Sequence, residues 1–289
     1  VGSVNIDNYL NFDTLPHTGK TVSTPSASLH PGGKCLNEAL GVARLGHNAA
    51  IIANVGNDAD ADIIYDLVKE YPIDTVGLKR CQGCQTGQAY IFVQKDGDSM
   101  ISIILGANNT LDTSCITDNE RLFSNASYCL LQTEVPLSAI IEACRTSKRH
   151  GMRTVLKPST CSELPNELLR MTDIIVPNLD ELNELCPVPE TMEEKADFLL
   201  SCGIGTVIVT LGAAGCYIKS REYDCECSLP AVDFVSVDSS GAGDAFISAL
   251  VSYMLYGYDL VAAAKIATYA AGFSITRQGV TSALIDKDT

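Results

Sequence analysis

The chain has 289 residues, 46% hydrophobic and 19% charged, enough to build a large core around one sheet. Thirty-five acidic against 20 basic residues leave a formal charge of −15, which opposes the phosphate attraction on which nucleic-acid and anionic-membrane binding rest, so both partners are set aside. No run approaches the roughly 18 consecutive apolar residues of a membrane-spanning helix, and the twelve cysteines are scattered through strand and helix patterns with no signal peptide before them, which reads as reduced thiols in the cytoplasm.

In chain order, the first segment carrying chemistry is GSVNID, whose Asn5 and Asp7 follow a strand end and supply an amide and a carboxylate of the kind that bind vicinal hydroxyls. An Asx turn explains them as simply. Residues 9–30 are strand-like without helical period. Gly19-Lys20-Thr21 within them imitates the end of a Walker A loop, but Thr14 stands where the first glycine belongs and Pro16 interrupts the approach. HPGGKCLNEALGVARLG, residues 30–46, puts two glycines before a helix whose apolar face is Leu36, Ala39, Leu40 and Ala43. Lys34 and Asn37 then share a face of its first turn, a placement suited to sugar hydroxyls, although a capped surface helix is the plainer alternative.

AAIIANVG followed by DADADIIYDLVKEY reads as strand then helix, and SYCLLQ with PLSAIIEACRTSKRHG, DIIVPN with LDELNELC, and TVIVTL continue that alternation. The pattern predicts a mainly parallel sheet covered by helices on both faces. Residues 86–105 break it with strand character and a hairpin turn at Asp96-Gly97, so the two irregular stretches are expected to form a β lid on one domain spanning 1–289. Glu134 lies at the carboxyl end of a strand, where open α/β sheets place their ligands, though a solvated loop acid would look the same. Cys81 with Cys84 and Cys225 with Cys227 have no nearby His to complete a zinc set, and His17, His30, His47 and His150 fall in no catalytic spacing and read as surface or turn residues.

VDSSGAGDAFISAL, residues 237–250, carries the strongest local signal. A strand-like segment runs through Gly241 and Gly243 into a helix, and backbone N–H groups at such a junction favour the charge of a phosphoryl group in transfer. Asp244 at that mouth is placed to take the proton of an attacking hydroxyl, or merely to favour the helix dipole. Phe246 stands where a dinucleotide fingerprint needs its last glycine, so a nicotinamide enzyme is rejected.

Together, GGKCLN early and DSSGAGDAF late resemble the two signatures of the ribokinase family of carbohydrate and nucleoside kinases. GSVNID, GANNTL, LLQTE, PNLDE, TLGAAG and ITRQG follow the family's order, so the likeness spans nearly the whole chain. It implies a three-layer α/β/α domain with a β lid, the sugar beneath the lid and ATP along the carboxyl edge of the sheet. The implied activity is ATP-dependent phosphorylation of a sugar hydroxyl, with D-ribose expected ahead of another pentose, a ketohexose or a nucleoside. A non-catalytic sugar-binding regulator would have lost the base or the anion hole. On matching positions, Asp244 resembles the catalytic base, with Gly241, Ala242 and Gly243 as its anion hole. Asn5, Asp7, Gly33, Lys34, Asn37 and Glu134 resemble the sugar site. Asn178 and Glu181 match the residues that organise Mg²⁺ and its waters, and Thr210, Gly212, Gly215 and Thr268 mark the nucleotide edge. Asp238, Ser240, Ser274 and Gly279 resemble the loop pair that holds K⁺. The chain departs from the family at Cys35-Leu36, where Gly-Ala is usual, at Lys157, where Asn is common, and at Thr268, where Asn or His often flanks adenine. Exposed lid strands would offer edges for a homodimer.

Overall fold

Strand and helix alternate along the chain because runs rich in Val and Ile are separated by stretches of helical period, and each run becomes a strand buried on both faces. The computed structural model describes every residue except Pro16, Lys20 and 95–98. The hairpin turn expected at Asp96-Gly97 and the lysine of the rejected phosphate loop therefore lie outside the described residues.

The first third holds β1 (Asn5–Phe12), β2 (Ser26–Gly32), α1 (Lys34–Arg44), β3 (Ala49–Gly56), α2 (Ala59–Val68), β4 (Ile73–Cys81), β5 (Gly87–Gln94) and β6 (Ser99–Ile104). Next come α3 (Thr113–Thr117), β7 (Tyr128–Gln132), α4 (Leu137–Arg149), β8 (Arg153–Lys157), α5 (Asn166–Met171), β9 (Ile174–Ile175), α6 (Leu179–Leu185) and α7 (Met192–Ser201). The last third adds β10 (Thr206–Thr210), β11 (Cys216–Ser220), β12 (Cys225–Leu229), α8 (Ala242–Leu255), α9 (Leu260–Ser274) and α10 (Val280–Ala283).

Strands β7 to β10 run parallel, with β11 and β12 added antiparallel at one edge, while β3 and β4 form a parallel pair. Residues 1–4 join these two groups: the Val1 ammonium donates to Leu130 O at 2.7 Å, Gln132 N–H to Val1 O at 3.3 Å and Gly2 N–H to Ile52 O at 3.4 Å. Side chains alternate across the sheet. Val155, Ile208, Cys216 and Ile218 meet Phe246, Leu250, Ala263 and Ala267 of α8 and α9, whereas Leu131, Leu156, Val207 and Val209 meet Ile140, Leu168 and Leu199 on the opposite face. This is the expected three-layer arrangement.

The lid is a second sheet in the order β2-β1-β5-β6. Its first strand starts earlier than residues 9–30 suggest, because β1 leaves the main sheet already extended and pairs along its length with β2 and β5. Asn5 and Asp7 consequently sit inside a strand, not in a turn after one. His30 belongs to β2, edge-on to Tyr9 with ring centres 5.5 Å apart, rather than to a surface turn. The DIIVPN stretch yields only the two residues of β9, since Pro177 has no N–H for the ladder and the chain turns at Asn178 into a capping box with Glu181. Helix α1 is no surface helix: residues 35–43 are all buried and no side chain caps its start.

Candidate active site

Two helix N-termini converge beneath the lid. Helix α1 starts at Gly33, whose φ of 91° suits glycine, and a Cβ there would lie 2.7 Å from backbone atoms of Ser3, Val4 and Asn5. The close approach lets Lys34 N–H reach Ser3 Oγ at 3.3 Å, while Ser3 Oγ donates to Glu134 Oε2 at 2.6 Å. Lys34 Nζ stands 3.4 Å from Glu134 Oε1. Asn37, one turn on, donates from Nδ2 to Asp244 Oδ2 at 2.7 Å, leaving its own Oδ1 buried and unpartnered.

Helix α8 starts at Gly241, in the left-handed region at φ 73°, where a Cβ would meet Val280 Cγ1 at 2.2 Å. The first N–H groups of a helix have no intrahelical partner; here Ala242 N–H reaches back to Ser239 O at a long 3.4 Å. Asp244, third in the helix, is only 3% exposed. Asn5 is oriented by Asn108, which donates to Asn5 Oδ1 at 2.7 Å and accepts from Val4 N–H at 2.9 Å. Asp7 lies against Gly32, where a Cβ would strike its carboxylate.

The electrostatics follow from burying this much charge. Burial, then the neighbouring Asp244, pushes the Asp7 carboxyl up to about 7. Burial likewise raises Asp244, against the pull of Lys34 and the hydrogen bond from Asn37. For Lys34, burial alone would lower the value, but Glu134, Asp244 and Glu181 hold it above the ordinary lysine range. A carboxylate held above its usual value is a stronger base, the property an alcohol-deprotonating group requires.

Along the carboxyl edge of the sheet, the expected nucleotide residues are adjacent. Asn178 bridges to Thr210, whose N–H donates to Pro177 O at 2.9 Å, and Gly212 to Gly215 form a tight turn closed by Leu211 N–H donating to Gly215 O. Thr268 lies beneath this edge: its hydroxyl donates to Ala264 O at 2.7 Å and faces Cys216 Sγ. Lys157 pairs with Glu181, and burial draws its ammonium below the usual lysine value despite that partner.

Asp238 ties the two late loops together, accepting from Ser240 N–H at 2.9 Å and Gly279 N–H at 3.0 Å, while Ile275 O accepts from both Val237 and Asp238 N–H. Ser240 Oγ is buried without a partner, and Ser274 Oγ donates to Ala271 O, so Ser274 would serve a cation only through its carbonyl. Sequence reasoning did not find Ser3, Asn108, or the buried pair in which Gln132 donates to Glu38. None carries a local motif, and GANNTL around Asn108 was a signal without an assigned role.

A buried carboxylate at a helix N-terminus and a lid over polar side chains fit an ATP-dependent small-molecule kinase of the three-layer α/β/α kind. The chain belongs to the pfkB family of carbohydrate kinases, whose family model matches residues 1–287. It is 33% identical to a ribokinase of Staphylococcus aureus, over 98% of this chain and 95% of that one. A deoxyribokinase of Salmonella typhimurium is 31% identical, over 98% and 93%. The structure of Arabidopsis thaliana ribokinase complexed with ribose and ATP superposes with a TM-score of 0.90 at 28% identity, over 99% and 95%.

Proposed function

We propose that the chain transfers the γ-phosphoryl group of ATP to the 5-hydroxyl of D-ribose, giving ribose 5-phosphate and ADP. The observation that carries this reading is the buried group of Asp7, Asn37, Glu134 and Asp244 under a lid, with the partly exposed Lys34 paired to Glu134, in a chain similar over its length to a ribokinase bound to ribose and ATP. Asn5, Asp7, Lys34 and Glu134 hold the sugar hydroxyls. Asp244 accepts the proton of the 5-hydroxyl as its oxygen bonds to the γ-phosphorus and the bond to the β-phosphate oxygen breaks. The N–H groups of Gly241, Ala242 and Gly243 receive the charge on the transferred group.

Glu181 offers a carboxylate, oriented by Asn178, whose N–H donates to Glu181 Oε2 and whose Oδ1 accepts from Glu181 N–H. Such a donor set fits Mg²⁺, which keeps its waters and leans on one or two carboxylates and substrate phosphates; bound there it would neutralise phosphate charge. The unpartnered Ser240 Oγ and the carbonyls of the loops joined by Asp238 fit K⁺. No helix among the described residues is long and apolar enough to cross a membrane. We read the protein as cytoplasmic, with lid edges that pair in a homodimer.

The test is ATP consumption across a panel of acceptors, run in K⁺ and in Na⁺ at equal ionic strength. Ribose should give the highest kcat/KM, and K⁺ the faster rate. Deoxyribose, fructose or adenosine exceeding ribose tenfold would overturn the substrate and leave the kinase, whereas ATP consumption independent of any sugar would overturn both.

A further inference from the structure

Lys157 is a charged side chain that the reaction above does not use. It ends β8 at the carboxyl edge of the sheet, beside Gln132 at the end of β7. The backbone after it is tied down: Ser159 N–H donates to Lys157 O at 3.0 Å, and Ser159 O accepts from Thr133 Oγ1. Its side chain is 7% exposed and ends at Glu181, which is 16% exposed and also accepts from Asn178 N–H at 2.7 Å. A methyl added to Gly243 would sit 3.7 Å from Lys157 Cε, so the lysine stem lies over the start of α8. The ammonium is therefore held between the carboxylate that fits Mg²⁺ and the N–H groups that fit a phosphoryl group. Lys34 already serves Glu134 on the sugar side.

A buried ion pair is weak evidence for stability, because desolvating two charges costs about as much as their attraction returns. What it does supply is a cation on a flexible four-carbon stem, anchored by a fixed backbone, within reach of a second site. We propose that Lys157 is a further catalytic residue that contacts the γ-phosphate of bound ATP, turning from Glu181 to that group, and that stabilises its charge during transfer. This rests on the kinase reading above. The neutralisation of Glu181 on the approach of Mg²⁺ would weaken the hold on Lys157 while the triphosphate attracts it, so the residue would engage as the nucleotide arrives.

The contact is to the γ-phosphate, which makes the test a comparison of two nucleotides by calorimetry with Mg²⁺ present. Lys157→Met should weaken binding of the non-hydrolysable ATP analogue AMP-PNP by about tenfold or more, the scale of one charge-assisted hydrogen bond. ADP, lacking that phosphate, should lose less than about threefold, and ribose binding should stay unchanged. Lys157→Arg should recover most of the AMP-PNP affinity, and kcat of the Met variant should fall by ~10²-fold. If Lys157→Met does not fold, Lys157→Gln carries the same comparison. Equal losses for ADP and AMP-PNP, or no loss for either, would overturn the proposal by making the residue structural. A parent protein that binds neither nucleotide would instead overturn the kinase reading on which it rests.

Discussion

The two halves of the cleft are built from different materials. On the proposed sugar side Asp7, Glu134 and Asp244 are ionisable groups removed from water, with Lys34 partly so, held by Ser3, Asn37 and one another. On the proposed nucleotide side the adjoining surface is backbone turns at Thr210 and Gly212 to Gly215, and a loop whose Val232, Val235 and Val237 are 43%, 85% and 50% exposed. That loop is held by Phe234, which packs on Tyr269, on Phe273 and over Gly272, and by Val237 N–H donating to Ile275 O at 2.7 Å. The difference teaches where preorganisation is needed. Charge that must act on a reacting hydroxyl is best desolvated and oriented before the reaction, whereas a flat aromatic base needs only apolar surface and backbone groups.

The comparison breaks first at Asp244. Asp244→Asn keeps size and helix-start preference but cannot accept a proton, so kcat should fall by roughly 10²–10⁴-fold with KM for ribose and ATP little changed. Steady-state kinetics with calorimetric binding check this. A variant keeping more than about a tenth of parental kcat would reduce Asp244 to a helix-start residue and direct the search for the base to Asp7, Glu134 or Asp238.

Next in size is Gly241→Ala, which adds a Cβ into Val280 at a positive φ. The anion-receiving N–H groups should shift and kcat fall by ~10–10²-fold. Adding Val280→Ala removes the two nearest methyl contacts but leaves the Cβ of residue 280 at 2.9 Å and the backbone strain, so kinetics of the double variant should show only partial recovery.

A smaller effect sharpens the sugar side. The Asp7 carboxyl, raised to about 7, is ionised at pH 8 and largely protonated at pH 6, and the ionised form accepts two hydroxyl protons where the acid accepts fewer. KM for ribose should therefore rise several-fold, up to about tenfold, from pH 8 to pH 6. Asp7→Asn should show high KM at both. The stability sign follows from the same shift. Because the folded value lies above the unfolded one, the contribution of Asp7 is fully present below about pH 4 and is lost as pH rises through about 7. Asp7→Asn should thus raise Tm at pH 8, with the gain vanishing toward pH 4. Least of all should come from Thr268→Val: its hydroxyl is spent on Ala264 O beneath the nucleotide edge, so KM for ATP should change less than about twofold.

The same contrast explains what the sequence makes legible. Helices 34–44, 59–68 and 137–149 follow from apolar period, and the lid follows from two stretches without one. Gly33 and Gly241 were visible as helix openings, and the structure gives the steric reason for each. What was not visible rests on contacts between distant residues. Ser3 matters only because α1 and the loop after β7 come to it, and Glu38 meets Gln132 across 94 positions. Residues 1–4 are strand-like in any reading, but nothing local reveals that they close the gap between β3 and β7. Lys157 was noticeable as an unusual residue, and only the fold brings Glu181 and Gly243 to it.

The claim that the sugar half is charged and ordered before nucleotide arrives is tested most directly by titrating ribose into the nucleotide-free protein. Calorimetry at pH 7 in two buffers of different ionisation heat reads both binding and proton exchange. Sugar hydroxyls favour the ionised Asp7, so the account predicts binding with net proton release, and Asp7→Asn should remove most of that release. Ribose that binds only after nucleotide is added, or that binds with the same heat in both buffers, would contradict it.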